Sequence, residues 1–220
     1  MHIVSLNVGR PQIVLRGGRQ HSSAINRRSV DGAVELSPDG LAGDRVSDSS
    51  VHGGPDKAVC CYPHEHYAHW RERLAAELPV PSFGENLTTA GLLEDEVCIG
   101  DTFRIGGAIV QITQPRQPCW KLANKHAEPR LVAWVNESAR TGFYFRVLQA
   151  CTLQQGDAIE LVDRPHPDLT VAAIMRLRRS ASPDLSLAAR LADLPELSAA
   201  WRQHFAKRLG GDDERLATGE

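Results

Sequence analysis

The sequence lacks the cysteine pattern of a disulfide-rich or metal-binding protein. Its five cysteines, an odd number, are Cys60, Cys61, Cys98, Cys119 and Cys151. No two of them have the C-x-x-C spacing of a zinc ribbon, and the spacing of iron–sulfur ligands is also absent. We therefore expect reduced thiols and a cytoplasmic protein.

Basic excess and long apolar runs are absent as well. The chain has 25 Lys and Arg against 27 Asp and Glu, a formal net charge of -2. This balance excludes broad binding to nucleic acid or to anionic membranes, but it allows a local basic pocket. No stretch is apolar enough for a signal peptide or a bilayer span. With 42% hydrophobic residues in 220, we expect a soluble domain of ordinary size and a small second one.

The first three quarters of the chain favour strands. The short apolar run at residues 3–8 predicts a strand. Two Gly-Asp turns, Gly100-Asp101 and Gly156-Asp157, each precede an alternating segment that predicts a further strand. Many short strands with few helices indicate a mainly β fold, a closed or nearly closed β-barrel, with helices added to it.

Two helices are expected within this part. Pro63 suits the first turn of one helix, which should end before Pro79. Its apolar face would consist of Tyr67, Trp70, Leu74 and Leu78. A second helix is predicted between residues 129 and 140.

From about Arg164 onward, the sequence favours helices instead of strands, and two prolines at the start of this part indicate a linker. Thr170 would cap the first of three short amphipathic helices, and Ser182 the second. Pro195 would open a third helix that has Trp201 and Phe205 on its apolar face, as core or interface residues. We predict a barrel domain at residues 1–164, a three-helix domain at 165–211 and a disordered tail at 212–220.

The segment at residues 114–122 is the strongest candidate for chemistry. It follows a predicted strand, and Arg116 and Lys121 flank Cys119. Nearby positive charge stabilises a thiolate, which is both a nucleophile and a soft-metal ligand. From the residues alone, a buried and inert cysteine beside solvated basic residues is an equal alternative.

Residues 51–58 are a second candidate. Gly53 and Gly54 allow backbone amides to converge, and Lys57 follows them, as in nests that bind anions. The spacing does not match a nucleotide-binding P-loop. The alternative is a Gly-Gly-Pro turn that leads into a strand.

Two single residues are further candidates for the site. Asn86 has a donor and an acceptor that suit the edge of a heterocycle, or it stabilises a turn. Arg27 either belongs to a solvated pair with Arg28 or lines an anion pocket.

The histidines at positions 64, 66 and 69 do not have the spacing of an H-E-x-x-H zinc helix. Surface or boundary positions are therefore expected for His64, His66 and His69.

Taken in order, these segments resemble the MOSC family, named for the C-terminal domain of molybdenum cofactor sulfurase. The matching segments lie at residues 23–27, 40–44, 52–58, 83–87, 100–101, 116–122 and 156–157. The three-helix tail resembles the extension of the subfamily of 6-N-hydroxylaminopurine resistance proteins (YiiM-like).

The resemblance implies a β-barrel with a molybdenum cofactor cleft at one end. It implies that Cys119 is the catalytic residue and the ligand of molybdenum. The residues that would line the cleft are Arg27, His52, Gly53, Gly54, Lys57, Asn86, Arg116 and Lys121. Arg27 stands where the family often has lysine.

The activity that the resemblance implies is the reduction of N-hydroxylated compounds, such as 6-N-hydroxylaminopurine or amidoximes, to amines. Electrons would come from a separate flavoprotein or iron–sulfur protein, because the sequence has no G-x-G-x-x-G motif. One alternative is a carrier of the cofactor or of sulfur that performs no turnover. Another is a cofactor-free barrel whose helical tail is a docking or dimerisation face, and a homodimer is left open.

Overall fold

The computed structural model of the protein describes residues 1–49, 53–182 and 184–210. The strands in these ranges are β1 (His2–Val8), β2 (Gln12–Arg16), β3 (Arg19–Ser23), β4 (Arg28–Ser29), β5 (Val34–Ser37), β6 (Gly40–Leu41), β7 (Val59–Pro63), β8 (Leu87–Ala90), β9 (Thr102–Ile105), β10 (Ala108–Pro115), β11 (Phe143–Gln149), β12 (Cys151–Leu153) and β13 (Ile159–Asp163). The α-helices are α1 (His66–Leu74), α2 (Trp120–Lys125), α3 (Leu131–Ser138), α4 (Val171–Arg179), α5 (Leu185–Ala192) and α6 (Ala199–Leu209), and a short 3-10 helix spans Pro55–Lys57.

The main sheet has eight strands in the order β13-β9-β10-β11-β7-β8-β1-β4. Its pairs are antiparallel except for β7 and β8, which run parallel. Because β13 and β4 are its edges, the sheet is open, and the prediction of a closed barrel is wrong. The first residues of the chain nevertheless bond to the start of β13 and to the segment before it, since Ile3 N donates to Asp157 O at 3.0 Å and Ile159 N donates to Met1 O at 2.9 Å. The prediction of a mainly β fold with added helices is confirmed.

One of the hydrophobic cores joins the sheet to the C-terminal helices. Phe103 and Phe145 of the sheet belong to the same buried cluster as Ile174, Trp201 and Phe205 of α4 and α6. Burial of such side chains is the main stabilising contribution to folding, about 1.5–3 kcal/mol for each. Trp201 and Phe205 are therefore core residues, which was one of the two expectations for this helix.

Helix α1 ends a turn earlier than predicted. Ala75 takes a left-handed conformation, with φ 47°, and its amide bonds back to the helix. Leu78 is consequently buried from the loop that follows. Pro63 is the last residue of β7 and does not lie in the first helical turn.

Two of the three C-terminal helices begin later than expected. Thr170 caps α4 as predicted, because its side chain accepts from Ala173 N at 3.2 Å. Helix α5 begins at Leu185, since Asp184 rather than Ser182 caps it. Helix α6 begins at Ala199 after Ser198, not at Pro195.

The sequence pattern did not predict α2 (Trp120–Lys125), which follows the cysteine segment. The predicted disordered tail at 212–220 lies outside the described residues. None of the helices in the described ranges has the length and apolar character needed to cross a membrane.

Candidate functional site

A cavity of about 850 Å³ lies where the loops after β3 and β10, the loops around β6 and β8, and the 3-10 helix meet. A volume of this size is typical of pockets that hold a cofactor-sized ligand. Eight of the predicted site residues line it: Arg27, Gly53, Gly54, Lys57, Asn86, Arg116, Cys119 and Lys121. The ninth, His52, lies outside the described residues.

Cys119 stands between a strand and a helix on the wall of this cavity. It follows the end of β10 and is half-buried, with an extended backbone. The loop before it is fixed by Arg116, whose amide donates to Gly142 O at 2.9 Å. After it, Leu122 N donates to Cys119 O at 2.9 Å and begins α2. The thiol is thus presented to the cavity from a segment that is held at both ends.

Arg116 supplies a buried positive charge beside Cys119. Its side chain donates to Phe83 O at 2.6 Å. Burial lowers the pKa of Arg116, whereas Cys60, Tyr144 and Cys119 raise it, and the net shift is upward. The guanidinium therefore keeps its charge next to the thiol.

Cys60 and Tyr144 also line the cavity, and sequence reasoning did not select them. Burial raises the pKa of Cys60, although Arg116 and Arg27 oppose this shift. Burial likewise raises the pKa of Tyr144. Both groups are accordingly neutral at physiological pH. The alternation of side chains along β7 could have identified Cys60 as a candidate, because it places every second residue of the strand on the same face.

Arg27 is bound to a carboxylate that sequence reasoning did not single out. Its Nε and Nη2 atoms donate to the two oxygens of Asp44 at 2.9 and 2.7 Å. Its Nη1 donates to Gly84 O at 2.5 Å. Asp44 also accepts from Gly9 N at 2.8 Å. Arg27 is therefore part of a neutralised pair in the cavity wall.

Asn86 is held by three partners within the protein. Its Oδ1 accepts from Cys60 N at 3.0 Å. Its Nδ2 donates to Asp44 at 2.9 Å and to Asn7 O at 3.3 Å. Both ends of the Asn86 amide therefore bond within the protein. This favours a structural role for Asn86 over contact with a heterocycle.

Gly53 and Gly54 line the cavity. Gly53 N donates to Ser49 O at 3.2 Å, and a Cβ at position 53 would lie 2.9 Å from the same oxygen. Gly54 has φ +96°, and a Cβ there would meet nothing within 4 Å. Lys57 follows on the 3-10 helix, and burial lowers its pKa although Asp56 raises it. Gly53 thus allows a close approach of two backbone segments rather than offering its amide.

Lys121 reaches across the cavity from α2. Its Nζ donates to Ser47 Oγ at 2.6 Å. The cations on the lining are Arg27, Arg45, Lys57, Arg116 and Lys121, and the carboxylates are Glu35, Asp39 and Asp44. This local excess of positive charge, in a chain with a net charge of -2, suits an anionic ligand.

The protein does not offer a conventional metal site in its described part. No group of three or more His, Cys, Asp or Glu residues in these ranges could hold a metal ion. His66 is buried, and its Nε2 lies 2.6 Å from Glu94. The expected surface or boundary position is therefore wrong for His66. A metal at Cys119 would need further ligands from a cofactor that carries its own donor atoms.

Comparison with known proteins agrees with this arrangement. A family model described as the MOSC domain matches residues 48–160, and one described as the YiiM-like, 3-alpha helix domain matches residues 169–211. The protein YflK of Bacillus subtilis is 42% identical over 206 residues, which cover 94% of this chain and 93% of that protein.

Two other similar proteins extend the comparison. A protein of Gibberella moniliformis named a reductase is 34% identical over 197 residues, 88% of this chain but only 35% of that protein. The crystal structure of YiiM from Geobacillus stearothermophilus superposes with a TM-score of 0.80 at 38% identity, and the match covers 94% of this chain and 98% of that one. The chain therefore belongs to the MOSC family and carries the YiiM-like three-helix segment.

Proposed function

We propose that this protein is a molybdenum-cofactor-dependent reductase that converts N-hydroxylated compounds to amines. The substrate class includes N-hydroxylated nucleobases, such as 6-N-hydroxylaminopurine, and amidoximes. The observation that carries the proposal is the half-buried thiol of Cys119 on the wall of a cavity of about 850 Å³ with an excess of positive charge.

The residues present fit the cofactor in two respects. Molybdenum in its cofactor is held by sulfur, and a cysteine thiolate is a soft ligand of the same kind. The cofactor's phosphate requires cations or amides, and Lys57, Arg116 and Lys121 line the same cavity as Cys119. Because Arg27 is neutralised by Asp44, its role in this proposal is to fix the cavity wall.

When bound, the cofactor supplies the two-electron chemistry by which an N–OH group, two electrons and two protons yield an N–H group and water. The chain provides the surroundings for this reaction. Arg116 holds a positive charge beside Cys119. Cys60 and Tyr144 face the cavity as neutral groups and do not compete as anionic ligands.

The similar protein named a reductase supports this class of reaction. That protein is much longer than the matched region, which is 35% of its length. In our proposal, the electrons reach the present chain from a separate flavoprotein or iron–sulfur protein, since no dinucleotide-binding motif is found in its sequence.

The test is the conversion of 6-N-hydroxylaminopurine to adenine, followed by chromatography, with reduced methyl viologen as electron donor. The protein is purified from a host that makes the cofactor. We expect Cys119→Ser to reduce turnover by at least about a hundredfold, on the order of 2.7 kcal/mol in activation free energy. Cys151→Ser is the matched control, because Cys151 is also half-buried but does not line the cavity.

Each outcome of this assay has a distinct meaning. Turnover that survives Cys119→Ser contradicts the assignment of the ligand. Bound cofactor without reduction of any N-hydroxylated substrate contradicts the reductase and favours the carrier. Loss of activity in both cysteine variants would indicate general damage from loss of a thiol.

A further inference from the structure

The short 3-10 helix Pro55–Lys57 carries two neighbouring charged residues with different surroundings. Lys57 lines the cavity, whereas Asp56 does not. Asp56 instead contacts the segment at which the last helix, α6, begins. Whatever holds Asp56 therefore also fixes the piece of backbone from which Lys57 reaches the cavity.

The carboxylate of Asp56 binds to the start of α6 in two ways. Its Oδ2 accepts from Ala199 N at 3.3 Å. Ala199 is the first residue of α6, where a backbone amide has no partner within the helix, and a carboxylate there is also favoured by the helix dipole. Its Oδ1 lies 2.8 Å from Arg146 Nη2, and the same nitrogen donates to Glu196 O at 3.2 Å.

The backbone of Asp56 has a third connection to the same place. Thr113 Oγ1, on β10, donates to Asp56 O at 2.6 Å. Ser198 N, immediately before α6, donates to Thr113 O at 3.0 Å. Since three separate connections meet at Asp56, the position of the 3-10 helix depends on the position of α6.

These connections join the two parts of the chain that match different family models. Asp56 lies in the part that matches the MOSC domain, and Ala199 lies in the part that matches the three-helix domain. Within the described ranges, helices α4 to α6 contribute no residue to the lining of the cavity. Any effect of α6 on a ligand in the cavity must therefore pass through residues such as Asp56.

We propose that Asp56 is a positioning residue through which the start of α6 holds Lys57 in the cavity, so that the C-terminal helices complete the site for an anionic group. The inference rests on the proposed function, because the anionic group is the phosphate of the cofactor. Asp56 has an electrostatic effect in the same direction. Burial lowers the pKa of Lys57, and the charge of Asp56 opposes this shift.

The first test is the binding of inorganic pyrophosphate to the full-length, metal-free protein at neutral pH, measured by calorimetry. Asp56→Asn should bind about fivefold more weakly, which is typical of coupling within one hydrogen-bond network. The direction is informative, because loss of a negative charge near a cationic cavity would by itself strengthen anion binding. Asp168→Asn is the matched control, since it breaks another aspartate–arginine pair, with Arg190, in the C-terminal part.

A second variant removes only the contact with the helix. Ala199→Pro lacks the amide hydrogen that Asp56 accepts, and proline is well tolerated at the first position of a helix. Ser198 has ψ 149°, an extended conformation that suits the residue before a proline. We expect about threefold weaker binding of pyrophosphate with an unchanged midpoint of thermal unfolding. Leu185→Pro makes the same change at the first position of α5 and should bind like the wild type.

The decisive comparison repeats both changes in a Lys57→Met background. If Asp56 acts through Lys57, neither Asp56→Asn nor Ala199→Pro should weaken pyrophosphate binding further in this background. Equal weakening with and without Lys57 would show a general effect on the fold and would overturn the proposal. Unchanged or tighter binding by both variants would also overturn it, as would absence of pyrophosphate binding by the wild type.

The outcome is separable from that of the proposed function. Pyrophosphate binding needs neither molybdenum nor turnover, and it reports on the cavity of the protein itself. A wild type that binds pyrophosphate but never binds molybdenum would contradict the proposed function, while the comparison of the variants would still decide the role of Asp56.

Discussion

Asp44 engages Arg27 through two hydrogen bonds, at 2.9 and 2.7 Å, and so neutralises a predicted anion ligand in the cavity wall. Both side chains are about one-tenth exposed. The same carboxylate accepts from Asn86 and from the amide of Gly9. Asp44 therefore links four segments that are distant in sequence and fixes one wall of the site.

We expect Asp44→Asn to lower the free energy of unfolding by about 3 kcal/mol, since it leaves the charge of Arg27 buried without its partner. Denaturant unfolding of the metal-free protein measures this. Asp39→Asn is the control, because Asp39 also lines the cavity but is exposed. A loss below about 1 kcal/mol for Asp44→Asn, equal to that of the control, would contradict the structural importance of the pair.

Anion binding in the cavity should weaken as the pH rises into the alkaline range. Burial lowers the pKa of Lys57, so this side chain loses its proton at a lower pH than an exposed lysine. Titration of the metal-free protein with inorganic pyrophosphate measures the effect. Lys57→Met should bind about tenfold more weakly at neutral pH, a difference of roughly 1.4 kcal/mol.

Lys57→Arg provides the sharper comparison, because arginine keeps its charge at alkaline pH. This variant should keep pyrophosphate binding where the wild type loses it. Lys207→Arg, at an exposed position on α6, is the control and should behave like the wild type. Identical pH profiles for wild type and Lys57→Arg would exclude Lys57 as the titrating group.

The C-terminal helices should restrain the Cys119 loop. Gln117 lies two residues before Cys119, and its Oε1, in the amide orientation that pairs with the guanidinium, accepts from Arg178 Nε and Nη2 at 2.9 and 3.0 Å. Arg178 in turn lies 4.8 Å from the centroid of the Trp201 ring. Since an exposed polar contact contributes modestly, Arg178→Ala should raise the alkylation rate of Cys119 in metal-free protein about threefold.

Arg179→Ala controls for loss of charge on the same helix, because Arg179 is exposed. The midpoint of thermal unfolding shows whether either variant is destabilised as a whole. An unchanged alkylation rate in Arg178→Ala would show that the helices do not restrain the loop through this contact.

His126 should contribute to loss of stability in mild acid. Burial lowers its pKa below the ordinary value of 6.5, and its Nε2 lies 2.9 Å from Ser82 O. The unfolded state therefore binds this proton at a higher pH than the folded state. The stability that His126 contributes is present above pH 6.5 and is lost as the pH falls below it.

The measurement is the free energy of unfolding from neutral to mildly acidic pH. His126→Gln, which keeps a donor for the Ser82 carbonyl, should lose less stability over this range than the wild type. His2→Gln, at an exposed position, is the control. Equal slopes for all three proteins would show that His126 does not titrate with folding.

Local signals in the sequence were sufficient to predict part of the site. Two prolines and two cations around Cys119 mark a stiff, basic loop at the end of a strand, and this loop does face the cavity. The pairing of Arg27 with Asp44 was not predictable, because it depends on how loops 17 residues apart pack. The role of Asn86 depends likewise on three partners that only the folded chain brings together.

In the fold, too, local sequence patterns predicted some features, while others depend on contacts between distant segments. Short alternating segments predicted a mainly β protein, but the open sheet with β13 and β4 at its edges depends on pairing between strands that are distant in the sequence. The early end of α1 at Ala75 has no glycine to mark it. Phe145 and Trp201 belong to one core, and packing between segments so distant in the sequence cannot be predicted from the periodicity of apolar residues.

Ligation of molybdenum by Cys119 is tested most directly by the molybdenum content per chain of the wild type and of Cys119→Ala, both purified from a host that makes the cofactor. We expect near-stoichiometric molybdenum in the wild type and its loss in the variant, with an unchanged midpoint of thermal unfolding for the two metal-free proteins. Equal molybdenum in both proteins would contradict Cys119 as the ligand, and absence of molybdenum from the wild type, even when cofactor is added back, would contradict the cofactor itself.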